Sequence, residues 1–125
     1  ANKQEWRLER SKIVGDILSP RNINNLDWGK AKKVISCLHC LSSYPINRTK
    51  FLNPQNNQIS DIIECWNELL HNGRITTSKI KKVTNTLSNF GYSSIYELIG
   101  WYYPDKYPIM NKNSDCGMKF FGFDL

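Results

Sequence analysis

Apolar residues recur every three or four positions along most of the chain, which is the spacing of amphipathic α-helices. The first helix is predicted over about residues 3–18, and Ser19-Pro20 ends it because proline restricts the residue before it. A second helix begins after Asp27, which is suited to an N-cap, and stops near Pro45. Its inward stripe consists of Trp28, Ala31, Val34, Ile35, Leu38 and Leu41.

The helical spacing resumes after a polar stretch, residues 46–57. This stretch carries the turn signals Asn53-Pro54 and Asn56-Asn57, so a loop is predicted there. Further helices are predicted over 59–71, over 77–90, from Ser93 or Ser94 to Pro104, and over about 113–121. Ser94 and Glu97 have capping-box spacing, in which each side chain satisfies an early backbone N–H group.

The fold class predicted from this pattern is all-α, a single compact bundle of five to six helices. The length of 125 residues fits one domain, residues 1–125, and the only strand-like stretch is short and contains Pro108. The chain starts at Ala1, so we expect either that Met was removed or that this is a piece of a longer protein. The polar start lacks a signal-peptide pattern, which predicts a cytoplasmic location and reduced cysteines, and no apolar run suggests a membrane span.

The charge balance favours an anionic partner. The formal net charge is +6, from 17 Lys and Arg against 11 Asp and Glu, and it points to nucleic acid, with DNA the expected form. Basic residues concentrate near the start of the helix predicted over 77–90, in a stretch without any acid. The predicted phosphate contacts are Arg74, Lys79, Lys81 and Lys82, with the hydroxyl side chains Thr76, Thr77 and Ser78 between them.

A helix N-terminus adds free N–H groups and a positive dipole end, which suit phosphate oxygens. A second basic cluster lies on the second predicted helix, with Arg48 and Lys50 in the following loop. This cluster consists of Lys30, Lys32 and Lys33. The alternative interpretation is that both clusters are solvated helix faces that serve solubility only.

Cys37 and Cys40 have the C-x-x-C spacing of a zinc-ligand pair. The pair lies inside a predicted helix, beside core positions, and the remaining candidates, Cys65, His71 and Cys116, are scattered. Since free cysteine is among the most buried residue types, we interpret these thiols as structural and predict no metal.

Sequence offers little support for catalysis. Asp61, Glu64 and Glu68 share one predicted helix at spacings that a metal-dependent nuclease could use, but a solvated face is the favoured interpretation. No glycine combines with Lys-Ser or Lys-Thr as a phosphate-binding loop requires, so no nucleotide cofactor is predicted. We therefore predict no catalytic residue.

A dense aromatic segment follows the helix that ends at Pro104. Exposed rings here would stack on bases or fill a pocket of a partner protein. The residues considered for a protein partner are Trp101, Tyr103 and Tyr107. Core packing is the favoured interpretation for most of the rings, because aromatic side chains supply large buried area.

The C-terminal third, from Asn89 to Phe123, contains a glycine turn, a helix, the corner YPDKYPI and a final FFGF. This segment resembles helical regions of McrB-like restriction and related defence proteins, and distantly the helix-hairpin-helix region of DNA glycosylases. The resemblance implies a DNA-associated or assembly module beside a motor or nuclease carried elsewhere. Glycosylases have a catalytic aspartate after the corner, but Asn111 occupies about that place here and cannot act as a carboxylate base.

Three functions are therefore open. A non-enzymatic nucleic-acid-binding module is the first hypothesis. A protein-interaction or assembly domain is the second, and a degenerate or metal-dependent nuclease or glycosylase is the third. The enzyme hypothesis would gain if the acidic residues or a histidine gathered in one pocket.

Overall fold

The computed structural model describes residues 3–42, 44–104 and 106, and these form a bundle of packed helices without any strand. The all-α prediction is confirmed. The elements are α1 Lys3–Ile17, a 3₁₀ turn Ile23–Asn25, α2 Trp28–Cys37, α3 His39–Ser42, α4 Pro45–Phe51, α5 Ile59–His71, α6 Thr77–Thr86 and α7 Tyr92–Tyr102. None of these helices is long and apolar enough to cross a membrane.

Helix α7 is the central element, because it packs against α1, α3 and α6 and eight consecutive residues of it, from Ser94 to Trp101, are buried. Helix α2 lies against α1, and α5 lies against α6 and the 3₁₀ turn. Three rings fill the centre: Phe51 is 5.1 Å from Phe90 and 6.1 Å from Trp66, measured between ring centroids. This apolar interior fixes the orientation of every helix surface.

The second predicted helix is not continuous. Helix α2 starts after Asp27, whose Oδ1 accepts a hydrogen bond from the Lys30 N–H at 2.8 Å, so this N-cap is confirmed. The helix ends at Cys37; the next residue, Leu38, has an extended backbone, and α3 begins at His39. The buried carboxylate of Glu97 accepts the N–H of His39 at 2.5 Å, which satisfies a backbone donor that the break leaves free.

Residues 46–57 were predicted as a loop, and this was wrong for their first half, which forms α4. Pro45 occupies the first turn of α4, where its missing N–H group removes no hydrogen bond and its fixed φ suits a helix. Phe51 at the end of α4 is fully buried in the aromatic centre. The burial of this ring favours helix over loop.

The capping box predicted at Ser94 and Glu97 was also wrong. Helix α7 begins at Tyr92 after Gly91, so Ser94 lies in its third position and is buried. Glu97 instead faces α3, and the indole Nε1 of Trp101 donates to the same carboxylate oxygen at 3.3 Å. Glu97 therefore binds the backbone of α3 instead of the backbone at the start of α7, which its spacing from Ser94 had predicted. The helix predicted over 113–121 lies outside the described residues.

Candidate nucleic-acid interface

The turn between α5 and α6, together with α6 itself, carries the predicted phosphate contacts. Helix α5 ends at His71, and Gly73 has a φ of +76°, a left-handed conformation that favours glycine. Thr76 then caps α6, because its Oγ1 accepts the Lys79 N–H at 3.3 Å. The hydroxyl hydrogen of Thr76 stays available as a donor to an anion. Thr77 is half-buried and Ser78 is exposed.

The four cations of this region do not all face solvent in the same way. Lys79 is half-buried, and its Nζ donates to the carbonyl of Asn72 at the end of α5. Lys82 lies beside Glu68 of α5, with 3.9 Å between Nζ and Oε1. Two of the four predicted phosphate contacts therefore have protein partners across the α5–α6 interface.

The facing surfaces of α5 and α6 enclose a cleft of about 130 Å³ with mixed charge. Its acidic side is Asp61, Glu64 and Glu68, its basic side Lys79 and Lys82, and its other lining residues are Cys65, Val83 and Thr86. The three carboxylates thus do gather at one cleft. The described residues contain no group of three His, Cys, Asp or Glu side chains placed to hold a metal ion.

Arg74 and Lys81 differ from the other two cations. Both are exposed, and neither has a hydrogen-bond or ion-pair partner among the described residues. Lys81 is two positions from Lys79, which is about 200° around the helix axis, so the two side chains leave opposite flanks of α6. The free positive charge of α6 therefore lies on the flank that faces away from the acidic side of α5.

The second basic cluster lies on the outer side of α2. Lys30 donates from Nζ to the carbonyl of Asn25 at 3.2 Å, whereas Lys32 and Lys33 are exposed and lack a partner within the described ranges. Helix α2 packs on α1 and α3, while α6 packs on α5 and α7. The two clusters thus belong to different helix pairs of the bundle.

The cysteine motif falls at the break between α2 and α3. Cys37 is buried, and burial raises the pKa of its thiol, as it does for Cys65. The side chain of Cys40 and all of Cys116 lie outside the described residues. A raised pKa keeps both described thiols protonated at neutral pH, and a protonated thiol is a poor nucleophile.

The aromatic segment is mostly part of the core. Trp101 is buried, and the guanidinium of Arg10 lies 5.8 Å from its ring centroid. Tyr103 is half-buried, and its hydroxyl donates to the carbonyl of Leu70. Trp101 as a contact for a partner protein is therefore wrong, since the core already covers its ring. Tyr107 lies outside the described residues.

Sequence reasoning missed an exposed aromatic and aliphatic pair at the start of α4. Tyr44 is 51% exposed and Ile46 is 71% exposed, so neither contributes much to the core. The signal that could have revealed them is Pro45, because proline is common in the first turn of a helix. With α4 recognised as a helix, Ile46 falls opposite the buried Phe51.

The described residues form a small all-α bundle. Searches found no protein-family model, no curated protein and no solved structure that matches the chain. The resemblance of its C-terminal third to McrB-like proteins therefore stays a prediction.

Proposed function

We propose that this chain is a nucleic-acid-binding domain, with DNA as the expected partner, that contacts phosphates and carries out no reaction itself. The observation that supports this proposal most is a set of exposed cations without any protein partner in the described part of the chain. Within the two predicted basic clusters, this set consists of Arg74, Lys81, Lys32 and Lys33. Exposed, unpaired cations release bound counterions from a polyanion at little structural cost.

The cations that already have partners have a different part in this proposal. Lys79 and Lys82 are held toward α5, so a phosphate must compete with Asn72 and Glu68 for them. The pair between Lys82 and Glu68 is long and exposed, and such pairs contribute little to stability. These two lysines therefore act as secondary contacts, and Arg74 and Lys81 as primary ones.

Fluorescence anisotropy with labelled oligonucleotides tests the proposal. Four phosphate contacts predict that affinity falls about 50-fold for a single strand and about 150-fold for a duplex between roughly 50 and 200 mM salt. The double variant Arg74→Glu, Lys81→Glu is expected to abolish binding without unfolding the domain, since both side chains are exposed. The matched control is Lys12→Glu, Arg21→Glu, which removes the same charge from exposed positions outside both clusters.

Two further results bear on the proposal. The variant Glu68→Gln frees Lys82 and is expected to raise affinity several-fold, because an exposed ion pair no longer competes with phosphate. If the two double variants weaken binding equally, the interaction follows net charge alone and the assigned contacts are wrong. The absence of binding to any single-stranded or duplex oligonucleotide at low salt would refute the function itself.

A further inference from the structure

The sequence from Trp28 to Ser60 contains five Lys and Arg residues and no Asp or Glu. This acid-free stretch forms α2, α3 and α4, which pack against one another in chain order. Its cations, other than Lys30, lack partners among the residues that the structure describes. The surface made by α2 to α4 is therefore positive and not neutralised from within its own sequence.

Helix α4 adds exposed apolar side chains to this positive surface. Ile46, Thr49 and Lys50 are all exposed, and their i, i+3 and i+4 spacing places them on one outward face. Tyr44 is the N-cap residue of α4, one helical turn before Arg48, and is about half exposed. An exposed tyrosine ring on a surface that also carries cationic side chains is the combination that binds an unpaired base together with its phosphate.

Helix α4 is anchored to the core on the side opposite its outward face. Phe51 is fully buried between Trp66 and Phe90, so the helix is anchored in the aromatic centre of the domain. Tyr44 makes no side-chain capping hydrogen bond, and its hydroxyl has no partner within the described residues. The backbone that carries Tyr44 is thus anchored through Phe51, while the surface of the Tyr44 ring stays open to a ligand.

We propose that the surface of α4, made by Tyr44, Ile46, Arg48 and Lys50 from more than one side of this short helix, binds single-stranded nucleic acid, with the Tyr44 ring stacked on a base. This inference rests on the proposed function and specifies the form of nucleic acid that it takes. In a duplex the faces of the bases are covered by their neighbours, so only an unpaired base can stack on Tyr44. Lys50 and Arg48 then contact the adjoining phosphates.

The size of α4 disfavours a lipid surface as the partner. A helix that lies in a membrane interface needs a broad apolar face, and α4 has seven residues with one exposed aliphatic side chain, Ile46. An acidic protein is also a poorer fit, because it would leave the open ring of Tyr44 without a flat partner of its own size. Charge and ring together therefore favour a polyanion that has planar groups.

The test compares the binding of an oligothymidylate of about 20 nucleotides with that of a duplex of the same length, at about 50 mM salt. Tyr44→Ala is expected to weaken binding of the single strand about five- to hundredfold, because it removes one stacked base. Duplex binding should change less than about twofold. Tyr44→Phe should bind the single strand nearly as well as the wild type.

Tyr92→Ala is the matched control, since Tyr92 is 45% exposed at the start of a different helix, α7. Equal losses from both alanine variants, or unchanged single-strand binding by Tyr44→Ala, would overturn the inference. In either case the loss caused by Arg74→Glu, Lys81→Glu would still uphold the proposed function. Wild-type protein that binds phosphatidylglycerol vesicles but neither oligonucleotide would refute both.

Discussion

Replacement of Asn57 by alanine is expected to lower the free energy of unfolding by about 2–3 kcal/mol. Asn57 is only 4% exposed and joins the segment after α4 to the turn after α6. Its Nδ2 donates to the carbonyls of Phe51 at 3.0 Å and Ser88 at 2.9 Å, and its Oδ1 accepts the Ser88 N–H at 2.7 Å. Three hydrogen bonds worth about 1 kcal/mol each, with water able to replace part of the loss at the exposed Ser88, give this range.

The neighbouring Asn56 provides a matched control. Its Nδ2 makes one exposed hydrogen bond, to the carbonyl of Lys50 at 2.9 Å, so Asn56→Ala should change the free energy of unfolding by about 0.5 kcal/mol or less. Urea titration followed by tryptophan fluorescence measures both variants, and the Asn57 variant should also melt roughly 10 °C lower. Equal stabilities of the two variants would show that Asn57 does not join the two segments, and the reasoning would fail.

Two further predictions concern buried groups. Glu97→Ala should destabilise the domain by about 2–3 kcal/mol in the same titration, because the N–H of His39 and the indole N–H of Trp101 lose their acceptor. Glu97→Gln keeps an acceptor oxygen and should lower the free energy of unfolding by less. If the Gln variant loses as much stability as the Ala variant, the acceptor oxygen at position 97 is not what stabilises the domain. Cys37 and Cys65 should react with a thiol reagent only after unfolding, because both are buried. Burial also raises the pKa of both thiols, so their contribution to the free energy of unfolding should be fully present below the ordinary thiol pKa of 9.0 and should decrease as the pH rises above that value. Rapid labelling of both thiols in the folded protein would contradict this.

The elements that sequence predicted best are those with local causes. The bounds of α5, Ile59–His71, agree with the prediction because the helix has a strong apolar stripe and ends at a glycine in the left-handed region. The cap at Asp27 was equally local and equally correct. Spacing along one segment is sufficient where the contacts that decide the structure lie within that segment.

Apart from the missed helix α4, which Pro45 could have indicated locally, the failures have distant causes. The helix is interrupted after Cys37, where the carboxylate of Glu97 accepts the N–H of His39. These two residues are 58 positions apart in the sequence. No periodicity in α2 could indicate this, because Val34, Leu38 and Leu41 keep helical spacing through the break. The same applies to the candidate interface: the pairing of Lys82 with Glu68 appears only when α5 and α6 are packed together.

Pairing of charges between helices changes what the net charge of +6 means for binding. The carboxylates along α5 lower the positive potential on the α5 side of α6, and a polyanion that approached from there would meet Glu68 together with Lys82. The opposite flank, with Lys81, has no acid in its own sequence between Leu69 and Tyr96. A nucleic acid bound at α6 should therefore lie on the flank away from α5, which is why charge reversal at Arg74 and Lys81 separates site-specific contact from general attraction better than reversal at Lys82.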